Sequence, residues 1–238
     1  MKRLWQLIRN RRFVQVFAAV LSNPFLQNFP QGRIHQGGSK SFCVPGLNCY
    51  SCPAAAGACP IGALQSVLAD RKFSFSYYAA GIMILFGVLF GRLICGFLCP
   101  FGFLQDLLYK IPTPKLKIAK KVDRPLRYLK YLILAVFVIL LPLLLTDAFG
   151  SGTPYFCKLI CPAGTLEGGI PLLLANESLR AMAGFLFNWK LLLLLITVTA
   201  AVFVYRPFCK YICPLGAFYA LFNKISFYRL KVDGGKCT

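Results

Sequence analysis

The sequence has few of the groups that hold a haem or carry protons through a membrane. It contains one histidine (His35), three methionines and seven carboxylates among 238 residues. A haem held between two histidines of this chain is therefore excluded, and the acids are too few for a proton-carrying chain. By contrast, the sequence contains eleven cysteines. Any bound cofactor is therefore expected to be held by thiolates.

Charged residues are also scarce, at 14% of the chain, whereas 58% of the residues are hydrophobic and the mean hydropathy is +0.64. A soluble domain has about a quarter charged residues, so a soluble globular enzyme is not expected. The net charge is +20. In a soluble protein, such a charge indicates nucleic-acid binding. Basic residues also collect on the cytoplasmic segments of membrane proteins. We therefore expect a lipid bilayer and no nucleic acid as partner.

Four apolar segments predict an all-α membrane protein with about four transmembrane helices. Residues 73–94, 128–146 and 189–205 are each close to the ~20 residues that a spanning helix needs. A fourth apolar segment, residues 13–29, follows a basic start and is interrupted at Ser22, Asn23 and Pro24. We interpret it as an uncleaved first helix. A secretory signal peptide is the alternative, but no convincing small-residue cleavage site follows.

The basic residues predict how these helices cross the membrane. Of the 27 basic residues, 20 lie in the N-terminal segment, in residues 92–130 and after Tyr205. Because basic residues accumulate on the cytoplasmic side, both termini are expected to be cytoplasmic. The predicted location is a bacterial inner membrane, with several passes.

A Cys-Pro-x-Gly motif occurs four times and carries the chemistry. The copies begin at Cys59, Cys99, Cys161 and Cys213, and three have another cysteine four residues earlier, at Cys95, Cys157 and Cys209. The copies at Cys99 and Cys213 follow a predicted span on the cytoplasmic side. The other two fall on the outer side and share the pattern CPxGxL, followed by Gln65 or Glu167.

The order of span, outer motif, span and inner motif occurs twice. It predicts two parallel repeats related by a pseudo-twofold axis along the membrane normal, joined by cysteine-rich loops and short amphipathic helices. Residues 1–127 form the first repeat and 128–227 the second. Residues 228–238 begin a separate tail.

This symmetry predicts an inner metal site made of Cys95, Cys99, Cys209 and Cys213. Four cysteines in this spacing suit a [4Fe-4S] cluster, and proline after the ligand can start a helix whose positive end faces the anionic cluster. Arg92 and Arg206 each precede the first cysteine of their motif by three residues, and they are expected to raise the reduction potential of the cluster. The alternative is that these arginines only extend their charged ends to the lipid interface. Structural zinc and plain apolar packing of the cysteines are the other interpretations.

An outer [4Fe-4S] cluster is expected from a set of six cysteines. Symmetry pairs Cys59 with Cys161 and Cys157 with a member of the Cys49/Cys52 pair, of which Cys52 is favoured because the repeat predicts a cysteine at residue 55. Cys43 completes the set. Disulfides are the alternative in an oxidising exterior.

The stretches CGFLCPFG and CKYICPLG resemble the polytopic membrane 4Fe-4S binding proteins, over roughly residues 70–238. That family includes the membrane iron–sulfur subunit of periplasmic nitrate reductase systems and the membrane part of the nitrous-oxide reductase regulator. The resemblance implies electron transfer between a quinol or cytoplasmic donor and a partner reductase. The ending VDGGKCT resembles the start of a ferredoxin motif, so we expect a truncated relative in which Cys237 is a free thiol.

The predicted function is a membrane-bound iron–sulfur electron-transfer subunit with two clusters, one inner and one outer. Its expected partners are redox proteins, with a ferredoxin or a quinone as candidates. A 20-residue helix spans about 30 Å, so the clusters must lie deep in the bundle or a further carrier must lie between them. The alternatives are a maturation or regulatory factor that supplies electrons to metalloenzyme assembly, and a transporter with a structural metal.

Overall fold

A computed structural model describes residues 11–69, 77–116, 118–145 and 153–228. This part of the chain is mostly helical and contains no strand, with one isolated parallel bridge between Cys43 and Ala58. The prediction of an all-helical protein is thereby confirmed for the described residues. Cys237 and the tail from residue 229 lie outside them, as do the N-terminal residues 1–10 and residues 73–76 and 146 of the predicted spans.

The helices of the first half are short. They are α1 (Arg11–Ser22), α2 (Asn28–Gln31), α3 (Pro60–Ala69), α4 (Tyr77–Phe90), α5 (Leu93–Phe97), α6 (Pro100–Leu108) and α7 (Lys120–Leu126), with a 3₁₀ turn at Gly38–Ser41. The second half contains one long helix. Its helices are α8 (Leu129–Ile133), α9 (Leu141–Leu144), α10 (Tyr155–Leu159), α11 (Pro162–Gly164), α12 (Ile170–Ala175), α13 (Glu177–Ala181), α14 (Phe185–Phe203), α15 (Pro207–Tyr211) and α16 (Pro214–Phe222), with π-helical turns at Leu134–Leu140 and Thr165–Gly169.

Two helical stretches are long and apolar enough to cross a membrane. They are Lys121–Leu144 and Phe185–Phe203, of 24 and 19 residues. Helix α4 ends at Phe90, next to Gly91 with its left-handed φ of +48°. Helix α1 ends at Ser22 because Pro24 follows and the residue before a proline is poorly compatible with helix. Four membrane spans therefore stay a prediction.

The prediction that each motif proline starts a helix is confirmed. Pro60 is the first residue of α3, and Pro100, Pro162 and Pro214 lie at the first helical positions of α6, α11 and α16. The missing N–H of proline costs nothing at that position. In the last three copies the motif cysteine is the extended residue that precedes the helix. This geometry turns each motif cysteine toward the positive end of its helix.

A partly buried carboxylate joins α1, α6 and the residue before α15, next to the inner cysteines. Asp106 of α6 accepts hydrogen bonds from Arg206, from Gln15 at 3.0 Å and from Arg11 at 2.6 Å. Gln15 also donates to the carbonyl of Gly96 at 2.9 Å. Although burial opposes it, these hydrogen bonds from Arg206 and Gln15 lower the pKa of Asp106. The N-terminal helix is therefore fastened to the inner motif through polar contacts.

Replacing Asp106 with Asn should destabilise the protein by about 2 kcal/mol at neutral pH, because the largely buried Arg206 loses its partly buried countercharge. The wild-type carboxylate stabilises the fold fully above the unfolded-state pKa of about 3.9. That stabilisation is lost as the pH falls through the lower native pKa. Thermal unfolding in detergent should therefore show a difference between the two proteins that closes at low pH.

Glu177→Gln provides the matched control, because Glu177 is exposed at the start of α13. It removes one carboxylate with little expected change in unfolding temperature. Equal destabilisation by both substitutions would mean that net charge, and not the Asp106 contacts, sets stability.

Candidate metal centres

The structure brings the four predicted inner cysteines together at one cavity. Cys95, Cys99, Cys209 and Cys213 line a cavity of about 530 Å³. They lie near enough that other members of the set raise the pKa values of Cys95, Cys209 and Cys213. Two of them come from α5 and the residue before α6, and two from α15 and the residue before α16. Residues more than a hundred positions apart thus share one site.

A buried glutamine connects the two halves of this inner site. Gln105, 1% exposed, donates from its Nε2 to the Sγ of Cys209 at 3.2 Å and to the carbonyl of Phe101 at 3.4 Å. Its Oε1 accepts the backbone N–H of Phe208 at 3.2 Å. Phe208 in turn packs edge-on against Phe101, with ring centroids 5.2 Å apart. The contact therefore positions the first cysteine of the second-half motif.

A second cavity, of about 750 Å³, gathers cysteines of the predicted outer set. Five of them line it: Cys43, Cys49, Cys59, Cys157 and Cys161. Besides burial, the neighbouring Cys157 raises the pKa values of Cys49, Cys59 and Cys161, whereas only burial affects that of Cys43. The four that lie near one another form the candidate outer site.

The outer site repeats the contacts of the inner site. Gln65, fully buried, donates to the Sγ of Cys157 at 3.4 Å and to the carbonyl of Ile61 at 3.2 Å. Its Oε1 accepts the backbone N–H of Phe156 at 2.9 Å. At the outer site, the segment CPIGALQ contacts the segment FCKLICPAG. At the inner site, CPFGFLQ contacts FCKYICPLG in the same way. One local arrangement is used twice.

Of the Cys49/Cys52 pair, Cys49 lines the outer cavity and Cys52 is not among its lining residues, so the choice of Cys52 as the fourth outer ligand stays a prediction. Tight turns place the N–H of Cys52 on the carbonyl of Cys49 and the N–H of Ala55 on that of Cys52. Cys52 packs with Ala54 and Ala55, and its Sγ lies 3.7 Å from Asn23 Oδ1. Spacing along the chain does not reveal this turn.

The segment Pro45–Cys49 runs between the two sites. A Cβ on Gly46 would lie 3.0 Å from the Cα of Cys99, and the backbone N–H of Leu47 faces the Cys99 sulfur. Cys49, three residues after Gly46, lines the other cavity. Three extended residues span at most about 11 Å. The two sites therefore adjoin each other inside the bundle.

Arg92 and Arg206 both line the inner cavity but differ in their surroundings. Arg92 is exposed, whereas the Arg206 guanidinium is mostly buried and paired with Asp106. Arg206 also donates to the carbonyl of Cys95 at 2.8 Å and has a left-handed φ of +48°. Arg206 thus fixes the backbone of the candidate ligand Cys95 by a hydrogen bond, and it also places a positive charge near the site.

The cavities fit a thiolate-bound group. Burial raises the pKa of each thiol in both sites, to about 12 for Cys49 and Cys209, so metal binding must release protons. A Cβ on Gly164 would lie 3.6 Å from the Cys49 sulfur, and one on Gly62 3.8 Å from the Cys157 sulfur. The glycines therefore leave open the space beside the sulfurs.

The described cysteines are free thiols and do not form a ready-made site for a single ion. Within the described ranges, no three Cys, His, Asp or Glu side chains are placed to hold one metal ion. Zinc needs four sulfurs at about 2.3 Å from one point. All ten cysteines of the described residues are free thiols rather than disulfides.

Sequence reasoning assigned no role to the polar residue six positions after each motif cysteine. Gln65 and Gln105 contact sulfur as described above. Glu167 accepts the backbone N–H of Cys49 at 2.7 Å, and Tyr219 donates to the carbonyl of Pro45 at 3.0 Å. Burial raises the pKa of Glu167 to about 7. The identical offset in all four motifs was the signal that could have revealed them.

A helical protein that collects cysteines into two such cavities belongs to the class that holds iron–sulfur clusters. Comparison with known families agrees: the 4Fe-4S binding domain matches residues 57–77, 75–121, 131–173 and 186–232. The chain is therefore a member of the 4Fe-4S binding domain family.

Similar proteins include an uncharacterized protein of Methanocaldococcus jannaschii, 31% identical over 66% of this chain and 59% of its own length. The methylamine utilization ferredoxin-type protein MauN of Methylobacillus flagellatus is 28% identical over the whole chain and 73% of its own length. The putative electron transport protein YccM of Escherichia coli is 25% identical over 68% of this chain and 46% of its own length. The chain thus spans about three fifths of the first of these relatives. No solved structure matches.

The structure predicts different effects for the two neighbouring cysteines. Cys49→Ser should lower the iron and acid-labile sulfide content of the purified protein, because Cys49 lines the outer cavity. Cys52→Ser should leave both contents unchanged, and it serves as the matched control. Loss of iron in the Cys52 variant alone would support the assignment made from the repeat.

Proposed function

We propose that this protein carries single electrons between a donor and a partner redox protein through two [4Fe-4S] clusters. Family membership supports an iron–sulfur electron-transfer role in general, as do the names of its electron-transport relatives. The inner cluster is held by Cys95, Cys99, Cys209 and Cys213. The outer cluster is held by Cys49, Cys59, Cys157 and Cys161.

The observation that carries this proposal is the convergence of eight buried or half-buried thiols into two cavities with the same local contacts. When bound, a [4Fe-4S] cluster supplies a one-electron redox centre. The chain's own residues hold it, exclude water and place backbone and side-chain N–H groups on the sulfurs. The Gly216 N–H, for example, lies 3.4 Å from the Cys213 Sγ. Because the two sites adjoin through Pro45–Cys49, no further carrier is required between them.

The proposed location is a membrane, with several passes. Besides the two candidate spans, large apolar side chains of α1 face outward: Phe17 is 61% exposed and Leu21 67%. The polar Arg11 and Gln15 of that helix point inward to Asp106. An apolar exterior around a polar contact is costly in water and is stable in lipid.

The partners follow from the proposed location. We place both termini and the segment near residues 110–130 on the cytoplasmic side of a bacterial inner membrane. A ferredoxin or a quinone is the candidate donor, and another redox protein the acceptor. Two parallel repeats, residues 1–127 and 128–227, generate the pair of sites.

Metal analysis of anaerobically purified protein tests the cofactor. Two [4Fe-4S] clusters require about eight iron atoms and eight sulfides for each chain, with EPR signals after reduction. Zinc without acid-labile sulfide would contradict the proposed function.

Substitution of one inner cysteine from each half tests whether both serve the same cluster. Cys99→Ser and Cys213→Ser should each abolish the same EPR signal, because both residues line one cavity. The signal of the outer cluster should persist in both variants as the internal control. Loss of different signals in the two variants would separate the pairs into distinct clusters.

Labelling of introduced cysteines tests the proposed topology. Phe185 is 84% exposed at the start of α14 and Leu116 is 63% exposed in the segment after α6. An impermeant thiol reagent added outside intact cells should label Phe185→Cys. Leu116→Cys should react only after the membrane is permeabilised, and the unmodified protein controls for its native thiols. The reverse pattern would invert the topology.

A further inference from the structure

We infer that Gln65 and Gln105 are positioning residues that set the reduction potentials of the two metal centres. This inference rests on the proposed function, because it assumes a cluster in each cavity. The glutamines lie six residues after Cys59 and Cys99, on helices α3 and α6. Each contributes to the site formed with a cysteine motif from the other half of the chain.

The hydrogen bonds of these side chains use both N–H donors and the carbonyl oxygen of each amide. The amide of Gln105 donates to Cys209 Sγ and Phe101 O and accepts from Phe208 N. A glutamine amide has two N–H donors and one carbonyl oxygen, and both ends are used. Because the side chain is 1% exposed, solvent cannot replace a lost partner. Its N–H is therefore held on the sulfur.

A fixed N–H donor on a ligand sulfur has a defined electrostatic effect. It stabilises negative charge on the thiolate, and the charge of the site grows more negative on reduction. Hydrogen bonds to sulfur are among the features that tune iron–sulfur potentials. Gln105 therefore raises the potential of the inner site, and Gln65 does the same at the outer site.

The acceptor half of each amide has a separate consequence. The Oε1 of Gln65 holds the N–H of Phe156, and that of Gln105 holds the N–H of Phe208. Each phenylalanine directly precedes the cysteine whose sulfur the same glutamine contacts. One side chain thus fixes both the backbone and the sulfur of a ligand residue.

The test is an EPR-monitored potentiometric titration of the full-length, cluster-containing protein in detergent. Gln105→Met fills a similar volume without an N–H donor, and it should move the inner midpoint potential to a more negative value. The outer midpoint should stay unchanged. Gln65→Met should do the converse, so each variant is the folding control of the other.

Midpoint potentials that stay at their wild-type values in both Met variants, with the clusters retained, would overturn the inference. So would equal movement of both potentials in each variant, since that indicates a general loosening of the bundle. A wild-type protein with fewer than two reduction waves would instead contradict the proposed function.

A second substitution covers the case in which Gln105→Met loses its cluster. Gln105→Leu is neutral and of similar volume, so it removes the amide donor to Cys209 without adding a charge beside the site. Retention of the cluster at a more negative potential would support the inference. Retention at the wild-type potential would overturn it.

Discussion

Both cysteine sites depend on one type of contact, a buried glutamine that joins segments far apart in the chain. Gln65 reaches Phe156 and Cys157, and Gln105 reaches Phe208 and Cys209. Loss of a buried amide partner costs about 1–3 kcal/mol, and here it would also release a ligand residue. These contacts therefore stabilise the arrangement in which each pair of motifs lies together.

The inner and outer sites are versions of one arrangement, and this explains how a small chain forms two of them. A CPxGxLQ segment starts a helix at its proline and presents the glutamine one and a half turns later. A Phe-Cys-Lys segment from the second half supplies the backbone N–H and the sulfur that the glutamine contacts. The remaining two motifs place Glu167 and Tyr219 at the same offset, where both fasten the segment around Pro45–Cys49. That segment then adjoins both cavities.

The charged groups near the inner site also stabilise the packing of the helices. Asp106 unites Arg11, Gln15 and Arg206, so the N-terminal helix is packed against the inner motifs by ionic contacts in a largely apolar protein. Such contacts are strengthened by a low local dielectric and costly to break singly. The positions of Arg92 and Arg206 match in sequence, but only Arg206 is buried against a carboxylate. Equal offsets in a repeat therefore do not guarantee equal environments.

The sequence alone determined the features that depend on local chemistry and on repetition. Proline after cysteine predicts a helix start because its missing N–H is harmless there, and four such motifs predict thiolate sites. The grouping of Cys95 and Cys99 with Cys209 and Cys213 follows from the repeat. Tertiary structure decided the rest: Cys49 rather than Cys52 lines the outer cavity, and the path of Pro45–Cys49 makes the two sites adjoin. Contacts between segments separated by about a hundred residues, such as Gln105 with Cys209, have no local signature, because only packing of the whole chain brings those atoms together.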